Sequence, residues 1–180
     1  MAVCLGCLSV AASAQQVVHA LTGTVSSIDE VSKTLTVFQD NGSEGQFKDM
    51  TNAKSHVLID KKIALEQTSL EASKKKGSYV IVFYCGDNDS RSVVALKGLG
   101  AGPFTSTEGT VLKFEGKGHS VSIQDKSGAT QIFRIAQETV AEGYMGVVDG
   151  YKFQASKGDR IRVVGTTENG ALTALFVRQM

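Results

Sequence analysis

Short stretches of alternating apolar and polar residues, separated by turn residues, run through most of the chain. Residues 34–38 alternate with a period of two, which places Leu35 and Val37 on one face of a strand. Asp40-Asn41-Gly42 follows as a hairpin turn, because Asn-Gly readily takes the positive φ of tight hairpins. Similar pairs of strand and turn recur to the end of the chain. The pattern therefore predicts an all-β protein.

One arrangement of strand and turn residues occurs twice. Gly23-Thr24-Val25 opens the first copy, and Gly109-Thr110-Val111 opens the second 86 residues later. At matching spacings the first copy has Leu35, Val37, Gly42 and Phe47, and the second has Val121, Ile123, Gly128 and Phe133. Lys76-Gly77 and Lys157-Gly158 each precede a later β-rich run. A repeat of this length indicates two copies of one small domain.

The size and composition of each copy favour a small closed barrel. Five or six short antiparallel strands with a curved first strand are typical of the OB-type barrel. Closure removes the exposed strand edges through which small β-domains aggregate. We therefore predict two tandem OB-like antiparallel β-barrels, at residues 16–100 and 104–180, with the glycine-rich residues 98–103 as the linker.

The second copy carries a distinctive series of short motifs. These are Gly109-Thr110-Val111, Val121-Ser122-Ile123, Lys157-Gly158-Asp159, Ile161-Arg162-Val163-Val164-Gly165 and Asn169-Gly170-Ala171-Leu172-Thr173-Ala174. In these motifs the chain resembles a family of small exported bacterial β-barrel domains of unknown function. The first copy departs from them with Ser78 and Tyr84, where the second has Asp159 and Gly165. The resemblance implies a barrel fold and export, and it implies no activity.

The N-terminus has the character of an export leader. An uncharged apolar stretch ends in Ala12-Ser13-Ala14, the small-x-small form of a signal-peptidase site. We predict a signal peptide at residues 1–14 and a periplasmic or secreted protein; the alternative is a short buried N-terminal element. No apolar stretch reaches the roughly 18 residues of a membrane span. Loss of the leader would leave Cys85 as the one cysteine, which we expect to be a buried thiol at a strand end.

Charge is nearly balanced, with 19 Lys and Arg against 18 Asp and Glu. A balanced chain has no general attraction for nucleic acid or anionic membranes. The one basic concentration consists of Lys61, Lys62, Lys74, Lys75 and Lys76. On a barrel of this type, lysines beside aromatic side chains can contact a polyanion. A solvated turn is the other interpretation, and nucleic acid is a disfavoured partner for an exported protein.

The remaining chemistry-bearing residues do not form a catalytic or metal-binding pattern in the sequence. His19, His56 and His119 lie far apart on different elements, without metal-ligand spacing. Asp87-Asn88-Asp89-Ser90 begins like a calcium loop but lacks the following glycine and the distal glutamate. We therefore predict no enzyme activity and no cofactor.

The longest β-rich run, residues 78–85, has two apolar faces. Val80 and Val82 align with apolar residues of the second copy and are predicted to point into the barrel. Tyr79, Ile81 and Phe83 then form an outer face, and three large apolar side chains there are usually covered. We predict that they contact the other barrel, or a second copy of the chain.

The second copy has a different outer face at the same place, consisting of Arg160, Arg162 and Val164. This composition is typical of a solvated surface, so we expect the second barrel to be exposed there. The alternative for the first copy is a shift of one residue in register, which would turn Tyr79, Ile81 and Phe83 into the barrel.

Two functions are compatible with these features. The first is a non-catalytic exported module that binds a partner protein or a small ligand, or serves as an accessory subunit. The alternative is a polyanion- or oligosaccharide-binding protein that uses the barrel face and the lysine-rich loop.

Overall fold

The computed structural model describes residues 17–49, 75–87 and 90–180. These residues form eleven strands and one short 3-10 helix, Gly150–Lys152. The strands are β1 (His19–Asp29), β2 (Thr34–Gln39), β3 (Glu44–Asp49), β4 (Tyr79–Cys85), β5 (Ser92–Gly98), β6 (Thr105–Glu115), β7 (Ser120–Asp125), β8 (Thr130–Gly143), β9 (Gly146–Asp149), β10 (Arg160–Glu168) and β11 (Ala171–Gln179). The predicted all-β fold is confirmed.

The first five strands close into a barrel in the order β1-β2-β3-β5-β4. Strand β1 pairs with β2 on one side and with β4 on the other. A short parallel pairing of β3 with β5 completes the ring. Five is an odd number of strands, so a closed ring of five must contain at least one parallel pair. For this reason the antiparallel pattern predicted from the sequence does not extend to the closing pair.

The later strands repeat this topology. Strand β6 pairs with β7 and β10, β7 pairs with β8, and β10 pairs with β11. The parallel pairing of β11 with β8 corresponds to the parallel pairing of β5 with β3 in the first barrel. Strand β9 is additional and forms a hairpin with the end of β8. The two small OB-like barrels predicted from the sequence are therefore confirmed.

Each barrel encloses its own apolar core. The first contains Leu21, Val25, Leu35, Val37, Phe47, Val80, Val82, Tyr84, Val93 and Leu96. The second contains Val111, Val121, Ile123, Phe133, Ile135, Ala141, Phe153, Ile161, Val163, Ala174 and Val177. The inward positions of Val80 and Val82 agree with the predicted register of β4. The shifted register, which would have buried Tyr79, Ile81 and Phe83 inside the barrel, does not occur.

A glycine allows the first strand of each barrel to approach its neighbour closely. A Cβ atom on Gly23 would lie 2.4 Å from the carbonyl oxygen of Phe38, and one on Gly109 would lie 2.3 Å from that of Gln124. Both contacts are with backbone, which cannot move aside as a side-chain end can. The two glycines thus occupy equivalent positions in the two barrels, as the matched spacing in the sequence predicts.

Among the described residues, no helix has the length and apolar character needed to span a membrane.

Candidate functional site at the junction of the barrels

A third apolar cluster joins the two barrels, and we call it the junction core. Its buried members are Val18, Ala20, Ile81, Phe83, Cys85 and Ala95 from the first half of the chain, and Val140, Val164 and Phe176 from the second. Phe83 is 1% exposed and Val164 is fully buried. Burial of a large apolar side chain is worth about 1.5–3 kcal/mol. The junction core therefore stabilises the contact between the barrels substantially.

The three outer-face residues predicted from the sequence all lie at this junction. Ile81 and Phe83 are buried members of the junction core, and Tyr79 is partly buried against it. The Tyr79 ring packs on the ring of Phe104, the residue just before β6, with 5.0 Å between the ring centroids. Because the second barrel covers Ile81 and Phe83, these two side chains offer no exposed surface for contact with another copy of the chain.

The expectation of a solvated face on the second barrel is wrong at Val164, which packs in the junction core. It is also wrong at Arg162, whose side chain is 13% exposed, and it holds at the start of β10, where the side chain of Arg160 is 60% exposed. Arg160 and Arg162 both form ion pairs with Glu108. On this strand the second barrel thus uses Val164 for docking, and only Arg160 of its two arginines faces solvent.

A compact polar group lies at the Tyr79 end of the junction. The hydroxyls of Thr22 and Tyr79 both donate to Oδ2 of Asp40, each at 2.6 Å. Burial raises the pKa of Tyr79 well above its usual value, and the hydrogen bond to Asp40 raises it further. Tyr79 therefore stays protonated and acts as a hydrogen-bond donor that ties β4 to the turn after β2.

At the opposite end, a buried carboxylate of the second barrel contacts the first barrel. Nδ1 of His19 lies 2.9 Å from Oε1 of Glu142. Glu142 is 5% exposed, whereas the side chain of His19 is 36% exposed. The contact therefore connects a buried acid with a group that solvent reaches.

The second oxygen of Glu142 is less well satisfied. Its Oε2 lies 3.2 Å from Nε of Arg178, which is an ion-pair distance. The alignment does not make a hydrogen bond, and among the described residues this buried oxygen has no hydrogen-bond partner. A hydrogen bond requires a suitable angle as well as a short distance, and only the distance is met here. Oε2 of Glu142 is thus buried and interacts with Arg178 as an ion pair.

Aromatic and cationic groups of the first barrel surround the same place. The Tyr84 ring lies 5.6 Å from the His19 ring and 5.3 Å from the Phe47 ring. The Arg91 guanidinium lies 5.3 Å from the centre of Phe47 and 5.9 Å from that of Tyr84, within cation–π range. The arginine therefore lies against the aromatic end of the barrel.

Charged groups at this end of the junction act on the pKa of Tyr84. Burial raises this pKa, and the charge of Glu142 raises it further, whereas Arg178 and Arg91 act in the opposite direction. Three charged groups from separate elements are thus close enough to act on one hydroxyl. We call His19, Tyr84, Arg91, Glu142 and Arg178 the junction site.

Strand register explains why these residues meet. In the first barrel, His19 on β1 lies directly opposite Tyr84 on β4. In the second, Glu142 on β8 lies directly opposite Arg178 on β11. Docking of the barrels then brings the two pairs together, with a backbone hydrogen bond from Val147 to Val18 nearby. Both barrels are therefore needed to form the junction site.

The basic residues predicted as a polyanion contact lie elsewhere. Lys75 and Lys76 are exposed in the turn before β4. Lys61, Lys62 and Lys74 lie outside the described residues. The same turn contains Gly77, whose N–H donates to the carbonyl of Val25.

The other candidate groups also have definite places. His119 stacks on Tyr151 at 3.9 Å, whereas His56 lies outside the described residues. In the calcium-like stretch, Asn88 and Asp89 lie outside them as well, and Ser90 donates to the carbonyl of Asp87. No three His, Cys, Asp or Glu side chains in the described ranges are grouped so that they could hold a metal ion.

Cys85 is buried in the junction core as a free thiol at the end of β4, as predicted. Burial raises its pKa.

Comparison with protein-family models gives no match, and comparison with curated proteins gives no significant match either.

Proposed function

We propose that this protein is a non-catalytic exported module that binds a small ligand at the junction site. The observation that carries the proposal is the convergence of His19 and Tyr84 from one barrel with Glu142 and Arg178 from the other. Ligand sites occur preferentially where two domains meet, and they combine apolar walls with a few converging polar groups. The junction site lies where two barrels meet, and it brings polar groups of both together beside the apolar junction core.

The state of the ionisable groups favours binding over catalysis. Glu142 lies between His19 and Arg178, so each of its two oxygens already has a basic neighbour. The pKa of Tyr84 is raised, which makes this hydroxyl a donor rather than a base. Groups fixed in this way recognise a ligand by hydrogen bonds without exchanging protons with it.

The tandem arrangement has a role in this proposal. The two barrels share one topology, and we infer that they are copies of one domain whose outer faces have diverged. The first copy gained an apolar face around Ile81 and Phe83, and the second presents Val164 and Phe176 to it. Docking of two such copies creates a composite site that one barrel alone does not have.

Export is part of the proposal, and it rests on the apolar N-terminal stretch and Ala12-Ser13-Ala14. We expect the mature protein to begin at Gln15 and to be periplasmic or secreted in a bacterium. N-terminal sequencing of the protein isolated from its own host tests this. Recovery of the intact N-terminus at Met1 would contradict export with cleavage.

Binding at the junction site can be tested without knowing the ligand. Protein purified from its own host is denatured, and the small molecules that it releases are compared by mass spectrometry between the wild type and a Glu142→Gln variant. We expect at least one molecule to be released by the wild type and to be depleted in the variant. A Glu138→Gln variant is the matched control, because Glu138 is an exposed glutamate of the same strand. Identical profiles for all three proteins would contradict the proposal.

The alternative function, polyanion binding through the lysine-rich loop, is supported only by the exposure of Lys75 and Lys76. Salt-sensitive retention on a heparin column that is lost in a Lys75→Gln/Lys76→Gln variant would favour it. The junction-site proposal expects these substitutions to leave the released molecules unchanged.

A further inference from the structure

Exposed apolar side chains are concentrated at the turn between β8 and β9. This hairpin has a two-residue turn, in which Tyr144 is 77% exposed and Met145 is 91% exposed. A Cβ atom on Gly146, the next residue, would lie 2.9 Å from Cγ1 of Val17. Val17 precedes β1 and is 50% exposed. The turn and the chain before β1 therefore present their apolar side chains at the same place.

The end of β11 adds a fourth apolar residue. Oε1 of Gln179 lies 3.6 Å from the position that a Cβ on Gly143 would occupy, so this strand end reaches the same hairpin. Met180 follows directly and is 50% exposed. Single exposed apolar residues are normal on protein surfaces, whereas a group of them indicates a contact. We call Val17, Tyr144, Met145 and Met180 the hairpin patch.

The size of the hairpin patch argues against a protein partner. Four such side chains expose on the order of a few hundred Å². A stable contact between two proteins buries roughly 800 Å² on each of them. A lipid surface sets no such minimum, because a few protruding apolar side chains can insert between its headgroups. Tyrosine is also a preferred residue at the boundary between lipid and water.

The charges beside the hairpin patch favour an anionic surface. The N–H of Met180 donates to the carbonyl of Arg160, whose side chain is 60% exposed. Arg178 is two residues before Met180, and its side chain is 31% exposed. The carboxylates paired with these arginines are less exposed, at 23% for Glu108 and 6% for Glu142. Positive charge is therefore outermost in these pairs, and arginine near an anionic lipid surface is attracted to it.

The position of the predicted leader supports the same occupant. Cleavage after Ala14 leaves only Gln15 and Gln16 before Val17. The leader enters the membrane during export, so the hairpin patch includes the part of the mature chain nearest to that membrane. This step rests on the export part of the proposed function, whereas the arguments from area and charge do not.

We propose that the hairpin patch docks the protein onto an anionic lipid surface. Tyr144 and Met145 insert among the lipid headgroups, and Arg160 and Arg178 are attracted to the lipid phosphates. The two barrels then lie on the membrane without crossing it.

Vesicle sedimentation of the protein isolated from its own host tests this docking. Vesicles of phosphatidylcholine and phosphatidylglycerol in equal amounts provide an anionic surface, and vesicles of phosphatidylcholine alone provide a neutral one. We expect tighter binding to the anionic vesicles. Their affinity should fall roughly tenfold or more in a Tyr144→Ser/Met145→Ser variant, because two inserted apolar side chains are lost.

A matched control removes exposed apolar side chains from other places. Val31, in the turn between β1 and β2, is 95% exposed, and Ile132, near the start of β8, is 61% exposed. A Val31→Ser/Ile132→Ser variant should bind the vesicles as the wild type does. Because all four substituted residues are exposed, neither variant empties a core.

Fluorescence shows whether the tip of the hairpin itself enters the lipid. The chain contains no tryptophan, so Met145→Trp introduces a single reporter at the tip. We expect anionic vesicles to shift its emission to shorter wavelengths, and bromine-labelled lipid to quench it. Val31→Trp, the control, should show neither effect.

Several outcomes would overturn the proposal. These are no binding of the wild type to either kind of vesicle, equal binding of the wild type and the Tyr144→Ser/Met145→Ser variant, and an unshifted emission of Met145→Trp on vesicles. Self-association without lipid that the Tyr144→Ser/Met145→Ser variant abolishes would assign the hairpin patch to a contact between copies instead. None of these outcomes bears on the junction site, which Glu142→Gln tests, or on export, which N-terminal sequencing tests.

Discussion

Phe83 gives the sharpest test of the docking between the barrels. Its side chain lies on the outer face of β4, outside the core of its own barrel, and only 1% of it is exposed. Replacing it by alanine removes the ring from the junction core without emptying the interior of the first barrel. Phe→Ala substitutions at buried sites cost about 3–5 kcal/mol. A domain of this size has a total free energy of unfolding of about 5–15 kcal/mol.

Urea denaturation of the full chain measures this effect, and Phe38→Ala is the matched control. Phe38 lies in β2 of the same barrel but is 51% exposed. Half-burial of such a ring is worth roughly half of 1.5–3 kcal/mol, so we expect the control to lose about 1 kcal/mol. The Phe83→Ala variant should therefore lose roughly three to five times as much free energy of unfolding as the control.

A double-mutant cycle with Phe176→Ala identifies the partner of this contact. Phe176 belongs to the second barrel and to the junction core. We expect the effects of Phe83→Ala and Phe176→Ala to be coupled by about 0.5–3 kcal/mol, as for residues of one packed cluster. Additive effects, together with a Phe83→Ala loss no larger than that of Phe38→Ala, would refute the argument that the second barrel covers β4.

Two further predictions concern other parts of the structure. Gly109→Ala should lower the free energy of unfolding by about 1–3 kcal/mol in urea denaturation, because the added Cβ would lie 2.3 Å from the Gln124 carbonyl oxygen. Gly116→Ala is the control and should be nearly neutral, because its Cβ would come no closer than 3.6 Å to a neighbour, the Phe114 ring. Arg162 holds the pKa of Glu108 below its ordinary value of 4.5. Ionised Glu108 therefore stabilises the fold above pH 4.5, and this stabilisation is lost as the pH falls below 4.5 and through the pKa of Glu108 in the folded protein. Glu108→Gln should therefore be less stable than the wild type at pH 7, and urea midpoints measured down to pH 3 should show this difference shrinking; a constant difference would contradict the assignment.

The barrels could be predicted from the sequence because their signals are local. Alternation over residues 34–38 is a property of neighbouring residues, and it matches β2 at Thr34–Gln39. The Gly42 turn is equally local, and the structure gives this glycine a φ of 84°. The parallel pair that closes each barrel could not be predicted in this way, because it follows from how five strands form a ring and not from a local residue pattern.

The junction site could not be predicted, because its residues meet only through docking. His19 and Glu142 are separated by 123 positions, and each belongs to a different barrel. A weak signal was present in the charged Glu142 after the apolar Val140 and Ala141, since a charge in a buried run usually has a partner. Nothing in the sequence says that this partner is His19. The burial of Val164 could not be predicted for a related reason, because its strand neighbours Arg160 and Arg162 suggest a solvated face.

The account depends most on the contact between the two barrels, and methyl NMR of the full chain measures that contact directly. With Ile and Val methyl groups labelled, we expect nuclear Overhauser effects between Ile81 of the first barrel and the junction-core valines of the second, Val140 and Val164. We also expect the Ile81 methyl signals to resist a soluble paramagnetic agent, in contrast to the exposed Val31. Effects from Ile81 only to residues of its own barrel, together with strong paramagnetic broadening of its signals, would contradict the account.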